Sequence, residues 1–223
     1  VLGQQVLMGR MSLPAEVLTW ISMLENPQRY GMTEAQLQAQ INTSLAELVA
    51  LKTRKLQGET LTGEEEKRLS LVIPYNLDAW DGYFAERETV LGTAKAYGKN
   101  LVVLAGDTHN AWANNLKDMQ GEAVGVEFAT SSVSSPGLEE YLSLSGLEEA
   151  MQLEGALSLL VDDLQYCNLL DRGFMEVVFT HASVVSKWHF VSAYDSKVYT
   201  ANSSRVKTLQ CGFGEKKLQE INV

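Results

Sequence analysis

The sequence is poor in the residues that build the commonest small metal sites. It has only two cysteines, Cys167 and Cys211, and they form no Cys-x-x-Cys pair, which excludes zinc-ribbon and thioredoxin-like motifs. Its three histidines, His109, His181 and His189, are widely spaced. No uncharged run approaches the roughly 18 residues of a membrane helix. We therefore expect a chain without a membrane span and without a cysteine-based metal site.

Other function classes are disfavoured by charge and by missing motifs. The 223 residues carry 18 Lys and Arg against 28 Asp and Glu, a formal net charge of -10, so nucleic acid is not an expected general partner. The serines at 131–135 lack a surrounding Gly-x-Ser-x-Gly elbow, which disfavours a serine hydrolase. The chain opens on Val1 with no signal-peptide pattern. We therefore interpret it as a piece of a larger protein.

The distribution of apolar residues predicts a mixed α/β fold. We expect strands at residues 1–8, 101–105 and 123–129, followed by a C-terminal antiparallel meander at 174–180, 187–194 and 196–200. Helices are expected at about 12–26, 33–56, 62–74, 85–97 and 138–162, two of them opened by the capping boxes Thr33 with Gln36 and Thr62 with Glu65. No repeat or glycine-rich linker forces a boundary, so one domain is expected, with the helices at about 33–71 as an insertion.

The main candidate site follows the apolar strand at 101–105. Gly106 permits a tight exit from the strand, and Asp107 and His109, two residues apart, are expected to project toward one crevice at its carboxyl end. A carboxylate oxygen and an imidazole nitrogen are a ligand pair that iron or zinc accepts. The alternative is that Asp107 caps the turn and His109 is an ordinary loop histidine. Taken alone, the tripeptide leaves both interpretations open.

Several longer segments carry a resemblance to a known family. The segments at 3–8, 78–87, 104–116 and 125–132, followed by 164–174, resemble PhoD-type alkaline phosphatases in sequence, order and approximate spacing. The resemblance covers most of the chain except the helices at 33–71. It implies a calcineurin-like phosphoesterase architecture, here part of a β-sandwich of two mixed sheets flanked by helices.

The resemblance also implies a chemistry. Such enzymes hydrolyse phosphomonoesters and often phosphodiesters, with clustered metals that polarise the phosphoryl oxygens for in-line attack. Asp107 and His109 match the family's late Gly-Asp-x-His metal motif, and iron together with calcium is the suggested metal combination. The family also suggests export from the cytoplasm. The substrate implied is a phosphate ester.

The family's first metal motifs have no match in this chain. With three histidines in the whole sequence, we expect Asp107 and His109 to form only part of a metal site and the isolated chain to be inactive. A different class of function is a non-enzymatic binding or structural module that pairs through an exposed sheet edge. Exposed edges also suggest a homo-oligomer.

Three further residues are weaker candidates for binding substrate. Arg87 could clamp a phosphate and Trp80 could wall the cleft, but Trp80 could equally pack at a helix start and Arg87 could pair with a nearby carboxylate. Asn110 could donate to a phosphate oxygen or simply form the turn. His181 is expected in a turn and His189 on the outer face of a sheet, and neither is predicted to bind metal.

Overall fold

The computed structural model of the protein describes residues 1–144, 146–192 and 196–221. Within these ranges the strands are β1 (Leu2–Gly3), β2 (Ser12–Pro14), β3 (Val72–Pro74), β4 (Leu101–Ala105), β5 (Ala111–Lys117), β6 (Ala123–Ala129), β7 (Leu164–Asn168), β8 (Gly173–Phe179), β9 (Ser183–Phe190), β10 (Lys207–Gly212) and β11 (Gln219–Glu220). The helices are α1 (Ala15–Met23), α2 (Glu34–Leu56), α3 (Gly63–Ser70), α4 (Phe84–Ala96), α5 (Leu138–Tyr141) and α6 (Leu147–Leu160). No helix in these ranges is both long and apolar enough to cross a membrane.

The chain divides into two compact units. The first contains Val1–Arg10, Asn76–Glu154 and Asp163–Val223, and the second contains Met11–Tyr75 and Gly155–Asp162. The helices expected at about 33–71 are present and lie in the second unit, which also includes α1 and the β2–β3 pair.

A mixed five-stranded sheet organises the first unit. Its strand order is β1-β4-β6-β5-β7, with β1, β4 and β6 parallel and with β5 antiparallel to both of its neighbours. The expected strands β4 and β6 are confirmed with their predicted bounds. Both are largely buried, as is typical of parallel strands covered on both faces.

The second sheet of this unit is antiparallel throughout. Its order is β11-β10-β9-β8, so the expectation of two mixed sheets is wrong for this one. The three-residue connection between β8 and β9 is long enough for a hairpin but far too short for a parallel crossover. The strand expected at 196–200 is also absent, because the meander continues through β10 and β11 instead. Residues 193 and 194 of the strand expected at 187–194 lie outside the described ranges.

The two sheets pack face to face around an aromatic centre. Trp188 on β9 is fully buried and lies 5.9 Å from Phe128 and 5.1 Å from Tyr166, measured between ring centroids. Its indole Nε1 donates to the carbonyl oxygen of Ala129 at 2.9 Å. Side chains alternate along β9 between the buried face and the outer face. The outer face includes His189, as expected. The opposite face of the five-stranded sheet packs on α4 through Leu91.

The opening strand is shorter than expected. Only Leu2–Gly3 forms a strand with β4, although Gln4 and Gln5 still form backbone hydrogen bonds with Leu104 and Gly106. The chain then reaches a buried carboxylate. Glu127 on β6 accepts hydrogen bonds from the backbone N–H groups of Met8 at 2.6 Å and Gly9 at 2.8 Å, and from the amide of Asn114 at 2.9 Å. Burial raises the pKa of Glu127 above its ordinary value. This residue fixes the start of the chain to the centre of the sheet.

The second unit is mainly helical. Both capping boxes form as predicted, at the start of α2 and of α3, and Arg68 on α3 pairs with Glu16 on α1 and Glu47 on α2. The first helix was expected from about residue 12, but Ser12 lies in β2, which pairs with β3. The helix therefore begins after Pro14 with no side-chain cap.

The helical region expected at 138–162 is interrupted. It forms α5 and α6 as separate helices. Ser143, which follows α5, has a left-handed backbone with φ 51° and therefore cannot continue a right-handed helix.

Candidate metal centre

Two loops of the first unit meet at one edge of the five-stranded sheet. Because β4 and β6 are parallel neighbours, the loops that follow them leave at the same carboxyl edge, where open α/β sheets bind ligands. The first loop is Gly106–Asn110. The second is the serine-rich segment 130–137. The sequence motif therefore lies beside a second loop at this edge.

The first loop is a strained turn. Asp107 and His109 have left-handed backbones, with φ of 68° and 63°, and the Thr108 N–H donates to the carbonyl oxygen of Gly106 at 2.8 Å. We expected the two side chains to point the same way because alternate residues of an extended strand share a face. That alternation does not apply to such a turn. Convergence of the two side chains stays a prediction. Left-handed non-glycine residues are a feature of functional sites.

Side chains from other elements hold this turn in place. Gln5, just after β1, donates its amide to Oδ1 of Asp107 at 2.9 Å. Trp112 on β5 is buried and donates its indole Nε1 to the hydroxyl of Thr108 at 2.7 Å. Asp107 itself is exposed, and its Oδ2 accepts no hydrogen bond from any part of the chain that the structure describes. The Oδ2 oxygen of Asp107 is therefore accessible from solvent.

The imidazole of His109 is oriented by the second loop. Its Nδ1 lies 2.6 Å from the carbonyl oxygen of Pro136. A carbonyl oxygen can only accept, so Nδ1 must carry the proton of this hydrogen bond, and in the neutral ring Nε2 then carries the lone pair. The side chain is exposed. A histidine that donates from one nitrogen to a backbone carbonyl is in the arrangement that metal-binding histidines use.

Asn110 is occupied inside the protein. Its side chain is fully buried, its Nδ2 donates to the carbonyl oxygen of Leu169 at 2.7 Å, and its Oδ1 accepts from the N–H of Leu138 at 2.9 Å. These contacts join Asn110 to the segments that follow β6 and β7, and they are not contacts within its own turn. We do not include it among the groups that face the crevice.

Arg87 and Trp80 also have partners within the protein. Arg87 is fully buried, donates from Nε to the carbonyl oxygen of Met8 at 2.7 Å, and pairs with Glu88 at 2.9 Å. Burial lowers the pKa of its guanidinium. Trp80 is half-buried, packs beside the core around Leu91, and donates its indole N–H to Gln4. Both side chains join the start of the chain to the sheet.

The remaining histidines are separate from this edge of the sheet. His181 lies in the exposed turn between β8 and β9, and His189 on β9 stacks on Phe174 with ring centroids 4.9 Å apart. Within residues 1–144, 146–192 and 196–221, no group of three or more His, Cys, Asp or Glu side chains is arranged to hold a metal ion. Asp107 and His109 are the candidate ligands that the two loops supply.

The site is a Gly-Asp-x-His turn at the edge of a mixed five-stranded sheet that packs on an antiparallel four-stranded sheet. A family model described as PhoD-like phosphatase matches residues 1–188, and the chain belongs to this family. Alkaline phosphatase D of Bacillus subtilis (strain 168) is 41% identical over 68 residues, which is 28% of this chain and 12% of the relative.

The structural comparison agrees on the fold. A solved structure described as "Structure of PhoD" superposes with a TM-score of 0.52 at 19% identity, covering 68% of this chain and 27% of that one. At this identity the likeness concerns the fold alone. The chain spans 12% of the length of the first relative and 27% of the second. For this reason their activities do not transfer to it directly.

Sequence reasoning missed the groups that orient the two candidate ligands. Gln5 and Pro136 lie 102 and 27 residues from their partners, and nothing in their local sequence marks them. The left-handed turn did have a signal. Asp, His and Asn are among the residues most often found with positive φ, and they cluster here directly after Gly106.

Proposed function

We propose that the chain forms part of a metal-dependent phosphatase that hydrolyses phosphate esters, with Asp107 and His109 as two of its metal ligands. The observation that carries the proposal is the hydrogen bond from His109 Nδ1 to the carbonyl oxygen of Pro136 at 2.6 Å. It leaves Nε2 as the basic nitrogen on an exposed ring, which is the form that coordinates a metal.

The donor set fits iron and calcium in different ways. Imidazole nitrogen together with carboxylate oxygen suits iron, and carboxylate oxygen alone suits calcium. Bound metal ions supply electrophilic stabilisation of phosphoryl oxygens and activate a water molecule for attack. The part of this chain is to hold one carboxylate and one imidazole at the sheet edge, with Gln5 and the Pro136 carbonyl keeping them oriented.

We further propose that the other ligands come from outside this chain. A calcium ion takes 6–8 oxygen ligands and catalytic transition-metal sites commonly have three protein ligands, whereas Asp107 and His109 supply two. The chain spans 12% of its curated relative and 27% of the related structure, so those proteins have ample sequence to supply the rest. Export from the cytoplasm is part of the same proposal, and cell fractionation with an antibody against the chain tests it.

Activity and metal content of the chain test the proposal directly. We expect the purified chain to hydrolyse p-nitrophenyl phosphate no faster than free metal does. In a longer polypeptide that contains the chain and restores activity, His109→Ala should lose both bound metal and activity. His189→Ala, which changes a histidine on the outer sheet face, should lose neither.

Two results would contradict this assignment. The first is chelator-sensitive turnover by the chain alone that Asp107→Ala abolishes, because the chain would then supply a complete site. The second is an equal loss of metal from both histidine variants, because His109 would then have no special role. Metal content is measured by elemental analysis and activity by release of p-nitrophenol.

A second candidate function is association through a sheet edge. The strand β8 is at the edge of the four-stranded sheet and carries the exposed side chains of Phe174, Val178 and Phe179. Edge strands with exposed apolar groups pair with other strands, here with a second copy of the chain. Light scattering after size-exclusion chromatography tests this: we expect dimers that Val178→Lys converts to monomers, and a wild-type chain that is monomeric at all concentrations would exclude it.

A further inference from the structure

Three polar side chains form a buried network next to the His109 turn. Asn110 and Arg172 are almost completely buried, and Glu139 on α5 is 8% exposed. Glu139 forms an ion pair with Arg172 and accepts from Nδ2 of Asn110 at 3.3 Å. Buried ionised groups are costly unless they are paired and hydrogen-bonded. The burial of these groups beside the His109 turn therefore needs a structural or functional reason.

The network fixes both ends of the loop that contacts His109. At the C-terminal end, Glu139 accepts from the N–H of Gly137 at 3.1 Å, and Asn110 accepts from the N–H of Leu138 at 2.9 Å. At the other end, the N–H of Gly173, which follows Arg172, donates to the carbonyl oxygen of Ser132 at 3.0 Å. Asn110 and Glu139 therefore hold the C-terminal end of this loop directly, and Arg172 precedes the residue whose backbone holds the other end.

The same loop contacts His109 twice. The N–H of Ser132 donates to the carbonyl oxygen of His109 at 3.0 Å, and the Pro136 carbonyl accepts from the imidazole Nδ1. Gly137 follows Pro136 directly, and a Cβ at this position would lie 2.6 Å from Nδ2 of Asn110. The close approach of the loop to Asn110 therefore requires a glycine.

We propose that Asn110, Glu139 and Arg172 are positioning residues that hold the Pro136 carbonyl against His109 and so set which imidazole nitrogen carries the proton. None of the three is placed at the crevice itself. They act by keeping the ring in the Nδ1–H form, because the hydrogen bond made by one ring nitrogen decides the state of the other. The ligand role of His109 rests on the proposed function, but its tautomer does not.

The tautomer can be read without metal. The chain has three histidines, so long-range proton–nitrogen NMR spectra of its imidazoles, recorded at alkaline pH, contain three patterns. We expect the wild-type chain to show His109 in the Nδ1–H form. Asn110→Ala and Gly137→Ala should each add a population with the proton on Nε2, while the patterns of His181 and His189 stay unchanged.

Matched variants separate positioning from general loosening. Leu209→Ala truncates a buried side chain of β10 and should destabilise the unit without changing the His109 pattern. Glu139→Gln keeps the size of the side chain but removes its charge, and it serves as a further perturbation if Asn110→Ala does not fold. It should shift His109 in the same direction.

Two outcomes would overturn the inference. An unchanged His109 tautomer in the folded network variants would show that the network does not position the ring. An equal shift in Leu209→Ala would show that any loss of stability has the same effect. Because these spectra are recorded on metal-free protein, a failure of metal binding with an intact Nδ1–H tautomer would count against the proposed function and not against the network.

Discussion

The left-handed turn makes a quantitative prediction about substitutions at His109. The backbone at this position has φ 63°, which costs a residue with a Cβ about 1–2 kcal/mol. Glycine has no such cost, although its greater freedom in the unfolded chain costs roughly 0.5–1 kcal/mol. His109→Gly and His109→Ala lose the same hydrogen bond to Pro136, so that term cancels when the two variants are compared.

We therefore expect His109→Gly to be more stable than His109→Ala by about 0.5–1 kcal/mol. The assay is equilibrium urea unfolding, followed by near-ultraviolet circular dichroism. Thr93 provides the control because it is exposed in the interior of α4. There the order should reverse, with Thr93→Ala more stable than Thr93→Gly by about 1 kcal/mol.

The comparison would refute the argument if alanine were as stable as glycine at position 109 while the Thr93 pair behaved as expected. The turn would then relax to a right-handed backbone without cost, and the strain inferred for it would be absent. A smaller difference at 109 together with an equally reduced difference at 93 would point instead to incomplete cooperativity of unfolding.

Three other expectations can be tested on the same protein. Burial raises the pKa of Glu127 in the folded state, so its contribution to stability is fully present below its ordinary pKa of about 4.5 and is lost as pH rises through the higher folded pKa. The difference in urea midpoint between wild type and Glu127→Gln should therefore fall over that pH window. A difference that does not change with pH contradicts this expectation. Gly173→Ala should destabilise the first unit by several kcal/mol, because a Cβ there lies 1.8 Å from the carbonyl oxygen of His189; thermal unfolding measures the loss, and a wild-type melting temperature would refute it. Trp112→Phe should weaken the Asp107 turn by roughly 1 kcal/mol through loss of its bond to Thr108, visible as faster amide hydrogen exchange at Thr108, whereas unchanged exchange would show that the indole does not hold the turn.

Local signals in the sequence predicted many of the regular elements. The strand β4 is a continuous apolar run, β6 is apolar except for Glu127, and both have the predicted bounds. The helix α2 combines a capping box with an apolar stripe, and each signal acts within four residues along the chain. Such elements can be predicted because the residues that determine them are close together in sequence.

The strand β5 was missed for a physical reason. It contains Asn114 and Asn115, which are residue types depleted in strands, and both are buried. Each amide has a partner elsewhere in the fold: Asn114 donates to Glu127, and Asn115 accepts from the N–H of Leu218. The low strand propensity of these two asparagines is overridden by tertiary hydrogen bonds, which the local sequence does not reveal.

The candidate site also contains residues that the local sequence reveals and residues that it does not. Gly106, Asp107 and His109 could be identified from the sequence because they are adjacent and follow a clear strand. The groups that orient them could not, since they come from the segment after β1, from β5 and from the loop after β6. The residues that would contact a metal are local, whereas the residues that hold them are contributed by the fold.

The need for those distant groups follows from the strain of the turn itself. Two left-handed residues within three positions together cost about 2–4 kcal/mol, and such a turn persists only if the surrounding structure stabilises it. The hydrogen bonds donated by Gln5 and Trp112, and the one accepted by the Pro136 carbonyl, contribute about 1 kcal/mol each, and together they offset a cost of this size. The contacts at Asp107, Thr108 and His109 therefore link the strained backbone, the buried network and the proposed metal ligands in one arrangement.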